Sequence, residues 1–111
     1  MERIHYAGDS LLTGSEIARA LFDYAGALAR NLGSVTVDIP VRRGDGTIGR
    51  ANFLIGPASQ LVSESEASPY DELTDPPLVD LLKREVVKLG PSRPVSRSGG
   101  PDTTLDLIDD L

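Results

Sequence analysis

Between residues 13 and 33 the apolar positions recur at helical spacing on two neighbouring stripes. Ile17, Leu21, Tyr24, Leu28 and Leu32 form one; Ala18, Phe22, Ala25 and Ala29 form the other. A surface helix usually carries a single apolar face about 100° wide. Two stripes predict burial on two sides, under a sheet and either a second helix or another copy of the chain. The ends agree with a helix. Thr13-Gly14-Ser15-Glu16 fits the capping box, in which hydroxyl and carboxylate each satisfy a free backbone N–H. Arg30 suits the negative end of the helix dipole, and Gly33 suits the left-handed residue that closes a helix. Gly26, with Ala25 and Ala29, leaves a flat strip. Such a strip packs closely on a sheet or forms a homodimer seam along the helix Thr13–Leu32.

After the helix the period changes to two. Val35, Val37, Ile39 and Val41 alternate with Thr36, Asp38, Pro40 and Arg42. Gly44-Asp45-Gly46 is turn chemistry, and residues 47–55 read as the returning strand. A three-residue turn over Gly44–Gly46 sets Val41 against Gly49, Ile39 against Ala51, Val37 against Phe53 and Val35 against Ile55. Every inward position is then apolar. A two-residue turn would flip one strand and mix the faces. Pro40 lacks an N–H, which predicts that its nitrogen faces a sheet edge.

Residues 3–7 read as a short strand, broken at Asp9-Ser10 before Leu11-Leu12 lead into the helix. Gly56-Pro57 interrupts the hairpin, and residues 60–65 read as a further strand. A second helix follows, with Asp75 as cap, Pro76-Pro77 in the first turn and Gly90-Pro91 at its end. Leu78, Val79, Leu82, Val86 and Leu89 form its apolar face. The sum is an α+β two-layer sandwich, an antiparallel meander of three or four strands with two helices. The expected order is strand, helix, two or three strands, helix, tail.

Length and composition narrow the function. A chain of 111 residues is one domain, here residues 1–90 followed by a tail, 91–111, opened by a Ser/Arg/Pro/Gly linker. There is no cysteine, so neither disulfides nor thiolate metal sites are expected, and no cofactor motif is present. The N-terminus lacks a secretion signal and no run approaches a membrane span, which reads as cytoplasmic. The net charge of −6 repels phosphate and argues against nucleic acid. Between Arg50 and Lys83 the ionic residues are all acidic, which reads as a solvated loop.

Catalytic constellations are missing from the sequence. His5 is the sole histidine and reads as a half-exposed strand residue. No serine sits in a nucleophile elbow, and the glycine pairs do not open a helix after a strand. Arg42, Arg43 and Arg50 come together near the hairpin tip, where they could hold a phosphate or carboxylate. The tail segment 102–111 sets Leu105, Leu107, Ile108 and Leu111 among aspartates. That pattern suits docking into a groove of this domain, a second copy or another protein.

Three resemblances follow from these residues. Gly49-Arg50 running into an apolar strand and then Gly56-Pro57 is similar to small uncharacterised actinobacterial proteins of strand–helix–hairpin–helix plan, over residues 3–89. That likeness implies the fold and no reaction. The plan also resembles double-stranded RNA-binding domains, which carry a basic cluster at the start of the second helix. Here those positions read Asp75-Pro76-Pro77-Leu78-Val79-Asp80, which argues against the activity. Thr104-Leu105-Asp106-Leu107-Ile108 is similar to the peptide by which bacterial DNA-maintenance proteins bind the replication sliding clamp. It departs at both anchor ends, with Thr for Gln and Ile for Phe. The expectation is a non-enzymatic protein-interaction or adaptor module, with small-anion binding at the arginines as the alternative.

Overall fold

The computed structural model describes residues 1–90; the tail and its docking segment, with Leu105, Leu107, Ile108 and Leu111, lie outside the described residues. The elements are β1 (Glu2–Tyr6), β2 (Asp9–Thr13), α1 (Ser15–Arg30), β3 (Val35–Arg42), β4 (Ile48–Ile55), β5 (Leu61–Ser65) and α2 (Pro76–Leu89). The strands form one antiparallel sheet in the order β4-β3-β2-β1-β5. The α+β class expected from the sequence is the class observed. The sheet has five strands because Asp9–Thr13, expected to be a break and a lead-in, is itself a strand.

That strand escapes pattern reading because its turn is two residues long and atypical. Tyr6 pairs with Asp9, so Ala7 and Gly8 alone make the turn, with φ of 52° and 85°. Positive φ at both positions is the geometry normally signalled by Asn-Gly or Asp-Gly. Ala-Gly carries half of that signal.

The β3–β4 register is the one the hydrophobic faces predict: Val41 opposite Gly49, Ile39 opposite Ala51, Val37 opposite Phe53 and Val35 opposite Ile55. The Arg43 N–H donates to the Thr47 carbonyl at 2.8 Å and closes a three-residue loop with Gly46 at φ 90°. Backbone alternation from this bond turns the main chain of Pro40 toward β2, an interior neighbour, and not toward a sheet edge. In this register Pro40 stands opposite Gly14, the cap of α1, so with its N–H missing and β2 ending at Thr13 the two strands pair only at Leu12–Arg42. Beyond that pair, the buried Thr13 hydroxyl donates to the Pro40 carbonyl at 2.8 Å.

With so short a junction the two hairpins splay and coil. Tyr6 on β1 donates its hydroxyl to the Leu54 carbonyl on β4, and the Tyr6 and Phe53 rings stand 4.9 Å apart, although β2 and β3 separate these strands in the sheet order. The core fills the concave side: Ile4, Val37, Ile39, Phe53 and Ile55 from the sheet, Ile17, Leu21, Tyr24 and Leu28 from α1, Val79 and Leu82 from α2. α1 packs on α2 as well as on the sheet, while Ala29 of the second stripe and Leu32 of the first are exposed. Phe22 and Ala25 of the second stripe are partly buried against the same core.

The capping of α1 differs from expectation. Thr13 is committed to Pro40, and the cap residue, Gly14, has no side-chain bond. The Ser15 N–H is taken by the Glu72 carboxylate at 2.6 Å, which also lies 3.2 Å from the Met1 amine. Gly14 has to be glycine, since a Cβ there would overlap the Leu73 carbonyl. At the other end Leu32, not Gly33, takes the left-handed conformation. α2 matches expectation: the Leu78 N–H donates to Asp75, the prolines occupy the first turn and Gly90 ends the helix.

Candidate functional site

The splayed hairpins leave two open hollows that share Tyr6 and Ala7 as a wall. The larger, about 700 Å³, lies between the β1–β2 turn and the β4–β5 loop, with His5, Leu54, Pro57, Ala58 and Val62 around it. Leu54 and Val62 are each 56% exposed. The smaller, about 470 Å³, opens onto the concave side, where Ile4, Leu11, Ala51 and Phe53 meet the polar edge of Asp9, Ser10 and Asn52. The Tyr6–Leu54 hydrogen bond stands between them. Sequence reading missed this surface because it joins residues 5–8 to residues 54–62 through sheet coiling.

His5 lies at the rim with its Nε2 2.6 Å from the Glu64 carboxylate, both exposed to solvent. One step along β1, Arg3 makes a two-pronged pair with Glu66, at 2.6 and 2.9 Å. This pairing holds the Glu66 carboxyl below its ordinary range and raises Arg3, chiefly through the hydrogen bond itself. Across the strand, Glu2 accepts from the Ser63 and Ser65 hydroxyls. Three residues of the acidic run expected to be solvated thus have structural partners, beside Asp75, the expected cap of the second helix. Glu64 and Glu66 tie β5 to β1, Glu72 caps α1 and Asp75 caps α2. The Ser15 N–H and the Met1 amine lower the Glu72 carboxyl.

The three arginines of the hairpin tip are placed differently from one another. Arg42 is structural: its Nη1 donates to the Gly46 carbonyl and its Nη2 to the Asp71 carbonyl, both at 2.9 Å. Its guanidinium lies 5.7 Å from the centre of the Tyr70 ring, and its Nε is buried without a partner among the described residues. Arg50 pairs with Asp38 at 3.1 Å on the exposed face. Arg43 lies across Gly49, where a Cβ would collide with its guanidinium. Gly49 pairs with buried Val41, so Arg43 covers the core side while Arg42 and Arg50 share the other face. Arg42 and Arg43 do border a hollow of about 240 Å³ with Arg3, Ser68 and Tyr70, and Glu66 already neutralises Arg3 there.

Among the described residues, no group of three His, Asp or Glu side chains could hold a metal ion, and no helix is long and apolar enough to cross a membrane. No known protein family, curated protein or solved structure matches this chain.

Proposed function

We propose that this protein is a non-enzymatic interaction module that receives an apolar side chain of a protein partner in the hollow beside Tyr6. The observation that carries the reading is the exposure of Leu54 and Val62 on the rim of that hollow, next to Pro57 and Ala58. Concave apolar surface with a few polar groups at its border is the usual form of a recognition site. The borders here are the Tyr6 hydroxyl and the His5–Glu64 pair, which orient a partner without supplying reactive chemistry. Anion binding at the arginines is the second reading. It rests on Arg43 beside the hollow at Tyr70, since Arg42 and Arg50 are already engaged.

An NMR titration separates the two readings. Capped leucine and tryptophan amides should shift the amides of residues 54–62, and Leu54→Glu should abolish those shifts. Inorganic phosphate should leave residues 42–50 unmoved. Phosphate-dependent shifts confined to Arg42 and Arg43, with none from the apolar probes, would replace the first reading with the second.

A further inference from the structure

The β4 strand lies at one end of the sheet order, and its outer edge is long and regular. It pairs with β3 over all eight residues without a bulge, it contains neither proline nor lysine, and its one charged residue, Arg50, is paired with Asp38 of β3. Natural sheet edges are usually blunted by such residues or by a bulge. The Arg43–Thr47 bond fixes which backbone groups point outward. Those of Gly49, Ala51, Phe53 and Ile55 face β3, and those of Ile48, Arg50, Asn52 and Leu54 face away. Tyr6 reaches the Leu54 carbonyl from the free side, in agreement with this alternation. Ile48 is 59% exposed, and it shares with Leu54 the face of the sheet turned away from the core.

We infer that β4 is a dimerisation edge, which pairs antiparallel with β4 of a second copy about a two-fold axis at Ala51. The strand is complementary to itself in that register. Ile48 falls opposite Leu54 of the second copy, twice, so the two exposed apolar side chains of the strand cover each other. Arg50 falls opposite Asn52, also twice, and Ala51 meets its own mate. The register about Arg50 would oppose two arginines and set Ile48 against Asn52, which cross-strand energetics disfavour. The Leu54 carbonyl has a second lone pair for the new ladder beside the Tyr6 hydroxyl. A two-fold pairing of this kind is closed, so assembly stops at the dimer. The dimer shares Leu54 with the rim of the hollow beside Tyr6. Ile48 lies outside that hollow, so Ile48→Lys is the variant that tests self-association alone. The inference moves self-association from α1 to the sheet.

Sedimentation of the full chain over a wide concentration range tests it. The wild type should pass from monomer to dimer. Ile48→Lys and Leu54→Glu should each raise the dissociation constant by about tenfold or more, because each spoils two cross-strand pairs. The double variant I48K/L54E sets Lys opposite Glu in both pairs and should recover association. Asn52→Pro removes an outward N–H without touching the β3 ladder, and should leave a folded monomer by circular dichroism. A wild type that stays monomeric throughout, single variants that associate like the wild type, or a double variant no tighter than the singles would each overturn the inference.

Discussion

Leu32 closes α1 at φ 57° with its side chain 78% exposed. The Gly33 N–H reaches the Leu28 carbonyl at 2.8 Å and the Leu32 N–H reaches Ala29 at 3.2 Å, the paired bonds of a Schellman end. An L-residue with a side chain pays about 1–2 kcal/mol in that conformation, and Leu32 recovers little of it by burial. Leu32→Gly is expected to raise stability by roughly 1 kcal/mol in urea unfolding. Glu72 is the opposite case, an exposed side chain with a structural task. Glu72→Ala should cost about 1 kcal/mol at neutral pH, the usual worth of an N-cap side chain. Its carboxyl is lowered from 4.5 in the folded chain, so its stabilisation is complete above that value and is lost as the pH falls through the folded value. Urea midpoints of wild type and variant should therefore converge in strong acid. A gap that stays constant down to pH 2 would contradict the assignment.

At the scale of elements, the β2–β3 junction is the weak seam of the sheet. One residue pair and the Thr13–Pro40 bond join the two hairpins there. Thr13→Val keeps the shape and leaves a buried carbonyl without its donor, which should cost about 1–3 kcal/mol. Thr13→Ser retains the hydroxyl and should cost less. Hydrogen exchange at the Leu12–Arg42 pair should quicken in the valine variant more than exchange within the β3–β4 ladder. The ladder itself was legible in the sequence, because alternating valines and a glycine-rich turn permit one register with an apolar inner face. β2 was not legible, since its Ala7-Gly8 turn lacks the usual residues and Leu11-Leu12 does not alternate.

For the whole molecule, each buried apolar side chain of the described core lies between Ile4 and Leu82. Deleting residues 92–111 is therefore expected to preserve the circular dichroism spectrum and a cooperative thermal transition. Loss of folding would mean that the tail completes the core. The protein is also expected not to bind duplex RNA or DNA at physiological salt, since the net charge is −6 and Arg42 and Arg50 are engaged within the chain. Salt-sensitive micromolar binding in a filter or fluorescence assay would refute this.

The sequence by itself determined what depends on local periodicity. Period 3.6 marks α1 and α2, period two and face consistency set the β3–β4 register, and Asp75-Pro76-Pro77 starts α2. Tertiary structure decided what depends on residues far apart in the chain. Glu72 caps α1 across 57 residues, Glu64 and Glu66 dock β5 beside β1, and Tyr6 meets Leu54 across the coiled sheet. The arginines that cluster in sequence part in space because successive strand residues point to opposite faces and nearby acceptors claim two of them. The hollow beside Tyr6 brings residues 5–8 together with residues 54–62. Pro40 belongs to both accounts. Its missing N–H is visible in the sequence, and the strand it faces is set by the fold.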